Sequence, residues 1–261
     1  MYYFPQLSSG ATGQFPITRQ RSARTVINQS CQGYQVKLAD PAAAVTAWHL
    51  SFEEIDDQEL AALEALFQSV EGRLTPFTFL DPVDNLLAWS EQQEQAVWQA
   101  DPLLTLAGGV PDPMGGTAAY QVGNPTAATL MLQQAIDAPA SLDYCLSLYA
   151  CSDQSTQVWL VRGSATAAQA IGPQWTRLTS AGQLPDSAGS ISFGIALDPG
   201  ATVNVFGIQA EAQTTASIYK QTSETGGVYP NARFRDDTLT ITTVGPSRYS
   251  CELDIVNVEY L

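Results

Sequence analysis

Two pairs of adjacent carboxylates are the residues of this sequence best suited to acid–base chemistry. Asp56 is followed by Asp57, and Asp236 by Asp237; glycoside hydrolysis needs two carboxyl groups at a set separation. Each pair also has a structural interpretation, because Asp56 stands where a helix begins and Asp236 stands in a hairpin turn. The pairs therefore do not predict an enzyme, although a glycosidase built from scattered acidic residues stays an alternative.

Other catalytic and metal-binding patterns are absent from the sequence. The single histidine, His49, lies in an alternating strand, where a structural role is more frequent than base catalysis. The pairs Gly108–Gly109 and Gly115–Gly116 lack the Lys-Ser/Thr of a phosphate-binding loop, and the sequence has no HExxH, paired-cysteine set or GxSxG. We predict no catalytic residue and no cofactor. A structural Ca²⁺ held by loop carboxylates and carbonyls stays open, without assigned ligands.

Aromatic side chains offer a second chemistry, which is stacking against a sugar ring. In the predicted strand Tyr144–Ala150, the apolar residues Tyr144, Leu146 and Leu148 alternate and are expected to face the core. Tyr149 is then expected on the opposite face. The next strand contains Trp159 and Arg162, and an aromatic face beside a charged donor is typical of shallow saccharide sites. Tryptophan in a sandwich belongs more often to the core. Tyr149, Trp159 and Arg162 are nevertheless the predicted carbohydrate-binding residues.

The elements that must position these residues are mostly strands. Residues 14–55 are predicted to form strands because apolar and polar residues alternate in Arg24–Asn28, Tyr34–Leu38 and Ala47–Phe52. A turn at Ala39–Pro41 is predicted to separate the last two.

One helix is predicted after these strands. Asp56 and Glu59 form a capping-box pattern. Apolar residues then recur on one helical face, and Gly72 is predicted as the C′ glycine that ends the helix. The apolar residues of that face are Leu60, Leu63, Phe67 and Val70.

From Leu86 to about Gln221, short β-type runs alternate with clusters of Gly, Pro, Asp and Ser. Strands at this spacing are typical of a sandwich of the jelly-roll kind. The predicted strands are Ala118–Val122, Ala128–Gln134, Tyr144–Ala150, Val158–Arg162, Gln174–Ser180, Ser190–Leu197 and Thr202–Glu211.

The chain ends in two more predicted strands, Leu239–Val244 and Tyr249–Tyr260. Two strands alone do not form a stable domain, so those after Tyr229 are predicted to pair with strands before Asp56. The fold class is therefore mainly β, with a discontinuous β-rich hub domain that contains one α-helix and an inserted jelly-roll-like β-sandwich. The predicted boundaries are 1–85 and 222–261 for the discontinuous domain and 86–221 for the sandwich.

Composition excludes two classes of partner. The 261 residues include 11 Lys and Arg against 26 Asp and Glu, and the net charge of −15 disfavours nucleic acid. No apolar run approaches the roughly 20 residues that cross a bilayer, and the first residues lack the pattern of a signal peptide. We expect no nucleic-acid partner, no membrane insertion, and folding in a cytoplasm.

The four cysteines are too sparse for a disulfide-stapled fold of this size, so buried thiols are expected. Cys145 and Cys151 lie in one strand, too far apart to bridge. A disulfide between Cys31 and Cys251 stays open if their strands pair.

The first part of the chain resembles a known family in the order of its elements. This part resembles the distal tail proteins of long-tailed bacteriophages and related gene transfer agents. The resemblance is in its strands and single helix, followed by Gly72–Leu74 and Phe77–Pro82. The end of the chain, Ala232–Ile241 with Tyr249–Leu253, is similar to the closing hairpin of the same hub module. The order of the strands, the single helix and the segment that follows the helix together make a more specific pattern than one short motif does.

The middle of the chain resembles the carbohydrate-binding-like sandwiches of phage tail proteins, which distal tail proteins of this type carry inserted in the hub domain. The resemblance marks positions of the fold rather than of a sugar site. The segments that show it are Asn85–Glu91 with Trp98, Gln174–Leu178, Val203–Glu211 and Ala216–Tyr219.

The resemblance implies a non-enzymatic component of a virion tail, assembled in the host cytoplasm. In that family the hub forms a hexameric ring between the tail tube protein and the central baseplate hub protein, and the sandwich would contribute to attachment to a host glycan. Two alternatives stay open. One is a cell-surface carbohydrate-binding adhesin, which the missing signal sequence disfavours, and the other is a glycan-cleaving enzyme.

Overall fold

The computed structural model describes residues 1–185 and 188–258. This part of the chain is mainly β, with antiparallel sheets, as predicted. It divides into two compact units. The first comprises Met1–Ser8, Gly13–Phe79 and the described residues from Tyr229 onward, and the second comprises Ser9–Thr12 and Leu80–Val228.

The described residues contain sixteen strands and one helix, joined by turns and loops. None of the helical structure in residues 1–185 and 188–258 is long and apolar enough to cross a membrane. In chain order the elements are β1 (Thr18–Gln29), β2 (Gln35–Ile55), α1 (Asp57–Ser69), β3 (Phe77–Leu80), β4 (Gln99–Ala100), β5 (Thr105–Val110), β6 (Ala119–Gly123), β7 (Leu130–Ile136), β8 (Tyr144–Cys151), β9 (Thr156–Arg162), β10 (Ala165–Ile171), β11 (Thr176–Gly182), β12 (Ile191–Leu197), β13 (Thr202–Glu211), β14 (Val228–Phe234), β15 (Ile241–Gly245) and β16 (Arg248–Val258).

The first unit is built on one sheet in the order β1-β2-β16-β14-β3, with β15 also paired to β16. Strands near the end of the chain were predicted to pair with strands before the helix, and β16 does pair antiparallel with β2. In this ladder Ile255 faces Trp48 and Leu253 faces Leu50, and all four side chains are buried. The apolar residues that complete this core include Phe4, Phe52, Leu63, Leu66, Phe77, Phe79 and Phe234.

Strand β2 runs without interruption through Ala39–Pro41, so the predicted turn at these residues was wrong. The register of the β1–β2 ladder shifts between Ser22 and Arg24, opposite this segment. Such a bulge tolerates a proline, which has no N–H to give to a ladder. Local turn propensity does not reveal that a bulge accommodates Pro41.

The start of α1 follows from its capping residues. The Asp56 carboxylate accepts the backbone N–H groups of Gln58 and Glu59, both at 2.9 Å. Glu59 Oε2 in turn accepts the backbone N–H of Asp56 at 3.0 Å. The predicted capping box is therefore present.

The end of α1 differs by one residue from the prediction. Val70 is the C-cap, so Glu71, with φ of 54°, occupies C′ and Gly72 follows at C″. The N–H of Gly72 donates to the carbonyl oxygen of Phe67 at 3.0 Å, and that of Glu71 to Gln68 at 3.2 Å, which is a Schellman arrangement. The helix accepts a non-glycine residue at C′ because these two bonds fix its end.

The second unit is a jelly-roll-like sandwich of two five-stranded sheets, β10-β9-β12-β7-β4 and β11-β8-β13-β6-β5. Neighbouring strands in both sheets pair antiparallel. Alternate residues of the long strands share one core, as strand periodicity requires. These core residues include Tyr144, Leu146, Leu148, Val158, Leu160, Phe193, Ile195, Val203 and Val205.

Strand β10 was not predicted, because its sequence is rich in alanine, which has a low strand propensity. It forms through pairing with β9 along its whole length. Strand β5 was also not predicted, because it contains Gly108 and Gly109, and glycine has a low strand propensity.

Residues 80–85 and 222–228, predicted as part of the hub, group with the second unit. Asn85 Oδ1 accepts the backbone N–H of Ala210 at 3.1 Å, and the N–H of Asp81 donates to the carbonyl oxygen of Gly227 at 2.8 Å. These bonds extend the sandwich beyond its predicted boundaries. Residues 259–261, predicted within the hub, lie outside the described residues.

The four cysteines are free thiols. Three are buried as expected, but Cys31 is exposed in the turn between β1 and β2. Cys251 lies in β16 opposite Phe52, away from that turn in the ladder. A pairing of Cys31 with Cys251 is therefore not formed.

Candidate functional site

The three residues predicted to bind carbohydrate lie on different sheets of the second unit. Tyr149 is on β8, whereas Trp159 and Arg162 are on β9 in the other sheet. The structure therefore does not bring the three side chains together at one surface.

Arg162 is buried on the core side of β9. It lies three residues from Trp159, and because side chains alternate along a strand, the two point to opposite faces. Arg162 is 6% exposed, and its Nη1 donates to the carbonyl oxygen of Gly182 at 2.7 Å. Burial lowers the pKa of this guanidinium. The predicted combination of Trp159 and Arg162 at one sugar site is not formed.

Trp159 lies on the outer face of its sheet and is half-buried. Its Nε1 donates to Asp198 Oδ1 at 3.0 Å, which fixes the indole. Its cross-strand neighbours are Ala168 and Ala196, whose side chains are too small to cover the ring. Trp159 is thus a fixed aromatic side chain with a carboxylate beside it.

Tyr149 lies on the face of β8 opposite the core, as predicted, and is half-buried. Its neighbour on β11 is Arg177, whose guanidinium carbon lies 5.5 Å from the Tyr149 ring centroid. Its neighbour on β13 is Phe206, whose ring centroid lies 6.2 Å away. Tyr149 therefore stands between a cation and a second aromatic ring.

Arg177 is held in place by hydrogen bonds from one end of its guanidinium. Nη2 donates to Ser147 Oγ at 3.1 Å and to the carbonyl oxygen of Ser217. Its Nε is buried and has no hydrogen-bond partner among the described residues. The arrangement fixes the cation beside Tyr149, where the ring face attracts positive charge.

A depression of about 580 Å³ lies beside Phe206, the aromatic neighbour of Tyr149. Phe206 lines it and packs edge-to-face on Tyr219, with ring centroids 5.1 Å apart. The Tyr219 hydroxyl hydrogen-bonds Ser90 Oγ at 2.8 Å and donates to Glu91 Oε1 at 3.1 Å. Three rings therefore follow one another towards this polar depression, and we call them the aromatic row: Tyr149, Phe206 and Tyr219.

The two carboxylates that line the depression are both engaged. Glu91 accepts hydrogen bonds from Tyr219 and from Gln221, the latter at 2.9 Å. Burial raises the pKa of Glu91, against the effect of the Tyr219 hydrogen bond. Asp112 Oδ1 accepts two backbone N–H groups of its own turn, that of Met114 at 2.8 Å and that of Gly116 at 3.0 Å. These carboxylates hold the walls of the depression.

A buried carboxylate, Glu211, fixes the segment that supplies Tyr219. Glu211 Oε2 accepts the N–H of Ser217 at 2.9 Å and Nε2 of Gln209 at 2.8 Å. Lys220 Nζ lies 3.2 Å from Glu211 Oε1. The positive charge offsets part of the cost of burying the carboxylate, so this network keeps the segment against the sheet.

Sequence reasoning missed most of this site. The alternation that places Val203 and Val205 in the core also places Phe206 on the outer face, and this signal could have been used. The pairing of Arg177 with Tyr149 depends on β8 lying beside β11, which no local pattern encodes. Tyr219 lies outside any strand and carries no such signal.

Four of the residues considered for acid–base chemistry, Asp56, Asp57, Asp237 and His49, have structural partners in the first unit. Asp56 caps α1, and Asp57 Oδ1 accepts the hydroxyl of Tyr249 at 2.9 Å. Asp237 lies 2.9 Å from Arg73 Nε. The exposed His49 contacts Asp254 at 3.0 Å. Over residues 1–185 and 188–258, no group of three or more His, Cys, Asp or Glu is arranged to hold a metal ion.

Comparisons with known proteins identify no family. No protein family model matches the chain, and no curated protein matches it. Solved structures that are similar include the enzymatically active domain of tailspike protein 4 from bacteriophage CBA120, at 12% identity and a TM-score of 0.38. The similarity covers 51% of this chain and 22% of the tailspike chain.

Two carbohydrate-binding modules are also similar. One is the CBM22-1 xylan-binding domain of Paenibacillus barcinonensis Xyn10C, at 14% identity and a TM-score of 0.42, covering 51% of this chain and 97% of that domain. The other is TmCBM61 in complex with β-1,4-galactotriose, at 12% identity and a TM-score of 0.36, covering 48% of this chain and 97% of that chain. At these low TM-scores neither a family nor a ligand follows for this chain.

Proposed function

We propose that this protein is a structural component of the tail tip or baseplate of a phage or phage-like particle. The first unit would form a hexameric ring between the tail tube protein and the central baseplate hub protein. The second unit would bind a host cell-surface glycan. The particle would be assembled in the host cytoplasm, and the protein would reside in the virion tail.

The observation that supports this proposal is the pairing of β16 with β2. It joins both ends of the chain in one sheet and leaves the sandwich as an insertion. The resemblance of the chain ends to the hub module of distal tail proteins implies this arrangement. A scaffold with a binding module inserted in it suits a protein that must hold one position in a particle and present a ligand site.

The ring is tested by native mass spectrometry and electron microscopy of the purified full chain and of isolated tails. We expect closed rings of the pure protein and antibody labelling at the end of the tail tube. A protein that is monomeric at all concentrations and absent from tails would contradict the tail role. It would favour the alternative of a carbohydrate-binding adhesin.

Glycan binding is supported by the aromatic row with its fixed cation. Sugar rings stack on aromatic faces, and charged and amide groups beside them accept or donate hydrogen bonds to hydroxyls. Tyr149 and Arg177 supply the first elements, and Glu91 and Gln221 line the adjoining depression. Because a ring presents several copies, weak binding by each sandwich would become strong through avidity.

A glycan array tests this binding site. We expect the wild-type chain to bind a subset of glycans and Tyr149→Ala to abolish the signal. Trp159→Ala tests the second surface, which lies on the other sheet. Tyr2→Ala, at an exposed tyrosine of the first unit outside the β1–β2 hairpin, is the matched control and should bind as the wild type does. Unchanged binding by both Tyr149→Ala and Trp159→Ala would exclude these surfaces.

Binding without cleavage is favoured by the engagement of Glu91 and Asp112. Hydrolysis needs one carboxyl group free to give a proton and a second free to attack or activate water. Each of these two carboxylates is instead held by hydrogen bonds on both oxygens. We expect no shortened products when the glycans bound on the array are incubated with the protein and separated by chromatography.

A further inference from the structure

The end of the β1–β2 hairpin, residues 22–41, extends beyond the sheet of the first unit and is here called the arm. Its strands pair with each other from Arg24–Asp40 to Gln29–Gln35, whereas β16 pairs with β2 only from Val45 to Ile55. Six residues of paired strand and a turn span roughly 20 Å at about 3.4 Å per residue. The arm is therefore long enough to reach a neighbouring molecule.

The arm exposes apolar side chains that the rest of the described chain does not cover. Ile27, Val36 and Leu38 are exposed by 55%, 57% and 51%. Val36 and Leu38 share one face of this ribbon, and Ile27, which pairs with Lys37, lies on the other face. A two-stranded ribbon is marginally stable alone, and exposed apolar residues on both of its faces favour a partner that encloses it. The arm thus has the properties of a segment that is stabilised by docking.

The arm and its base are basic in an acidic chain. Residues 18–41 contain four of the eleven Lys and Arg, and Asp40 is their only acidic residue, while the whole chain has 26 Asp and Glu. Arg24 and Lys37 are exposed on the arm itself. A positively charged segment of this kind favours an acidic surface as its partner.

An acidic surface of suitable size lies on the same unit. A cleft of about 690 Å³, here called the acidic cleft, is lined by five carboxylates of β2, β16 and the segment after β14. Its basic neighbours, His49 and Arg235, both contact Asp254. Phe67 and Val244 add apolar lining. The five carboxylates are Glu53, Glu54, Asp236, Glu252 and Asp254.

We propose that the arm of one copy docks in the acidic cleft of a second copy. The arm cannot reach the cleft of its own chain, because β2 runs uninterrupted from the arm into the sheet and itself lines the cleft. The contact uses two different surfaces of each copy, and such head-to-tail contacts form a closed ring when the rotation between neighbouring copies closes. The inference rests on the proposed ring and names the surfaces that build it.

Charge reversal on each surface tests the contact with the full chain. The arm variant combines Arg24→Glu with Lys37→Glu, and the cleft variant combines Glu53→Lys with Glu252→Lys. Each should raise the concentration of half-assembly about tenfold or more in native mass spectrometry and sedimentation, because like charges then meet at the contact. The combined arm and cleft variant should restore assembly to near the wild-type concentration, because the charges are exchanged.

Controls separate folding and net charge from the contact. Glu224→Lys changes the charge of an exposed residue on the second unit and should leave assembly unchanged. Circular dichroism checks that each variant is folded. Lys37→Gln, a milder change, should weaken assembly in the same direction, and added salt should weaken the wild-type assembly through screening.

The outcomes separate this inference from the ring itself. Rescue by the combined variant supports arm-to-cleft docking. If the wild type assembles and the arm and cleft variants assemble equally well, the inference is overturned and the ring itself is left intact. A wild type that stays monomeric at all concentrations would overturn both.

Discussion

The guanidinium carbon of Arg177 lies 5.5 Å from the ring centroid of Tyr149, although the two residues are 28 positions apart in the chain. Pairing of β8 with β11 creates this contact. We predict that Arg177→Lys weakens glycan binding about tenfold, since an ammonium lacks the planar guanidinium that lies against the ring and bonds Ser147. Titration calorimetry with a glycan from the array measures the change.

Arg248→Lys, on the first unit, is the matched control and should bind with wild-type affinity. Tyr149→Phe should also bind, because it keeps the ring. Wild-type affinity in Arg177→Lys would show that the guanidinium is not needed for binding.

Gly194 has no space for a side chain. A Cβ there would lie 2.0 Å from the carbonyl oxygen of Leu132 and 2.6 Å from Gln133 Cα, both backbone atoms of β7. We predict that Gly194→Ala lowers the free energy of unfolding by about 3 kcal/mol. Urea unfolding of the variant and the wild type measures this difference. At Gly172 an added Cβ meets no described heavy atom within 4 Å, so Gly172→Ala should change little. Equal stabilities of the two variants would contradict the close approach of β12 and β7.

Asp56 should stabilise the first turn of α1. Asp56→Ala removes the acceptor of two backbone N–H groups and should cost about 1 kcal/mol, whereas Asp56→Asn keeps a good cap. Hydrogen exchange of peptides that cover Asp57–Ser69 reports on this helix separately from the sandwich. Exchange that is faster in the alanine variant and near wild type in the asparagine variant is the expected result. Equal protection in all three proteins would exclude a role for the cap.

Only Cys31 should react with a maleimide at neutral pH. Burial raises the pKa of both the Cys145 and Cys251 thiols to about 11, so these form little thiolate, and Cys151 is also buried with a raised pKa. Intact mass measurement should show one adduct on the native chain, and none on Cys31→Ser. Four adducts without denaturant would contradict the burial of the other three.

Glu91 should make the stability of the sandwich decrease as pH rises. Burial raises the pKa of Glu91 above its ordinary 4.5 in the folded state, so its contribution to stability is full below 4.5 and is lost as pH rises through the folded value. Glu91→Gln removes this loss. The Tm of the variant relative to wild type should therefore increase from acidic to neutral pH, whereas Glu224→Gln, at an exposed residue, should show a flat difference. A flat difference for Glu91→Gln would contradict the burial effect.

Local chemistry made part of this fold predictable. Asp56 and Glu59 act within one helical turn, so the capping box could be recognised without tertiary structure. The outward position of Tyr149 follows from alternation along a single strand. The pairing of the chain ends followed from the instability of two isolated strands.

The features that were missed depend on contacts between strands. Pro41 is accommodated by a bulge, and β10 forms through its pairing with β9 in spite of its alanine content. Arg162 was grouped with Trp159 although an odd spacing in a strand directs them to opposite faces, so this error was avoidable. Arg177 joins the site only because β11 lies beside β8.

The pairing of Ile255 with Trp48 has a consequence for synthesis of the chain. Chains emerge from the ribosome from the N-terminus, and domains fold as units once they are complete. The sandwich is complete before β16 is made, whereas β2 must wait for β16 to complete its ladder. The first unit is therefore the last part of the protein to fold, and its long-range pairing makes that step slow.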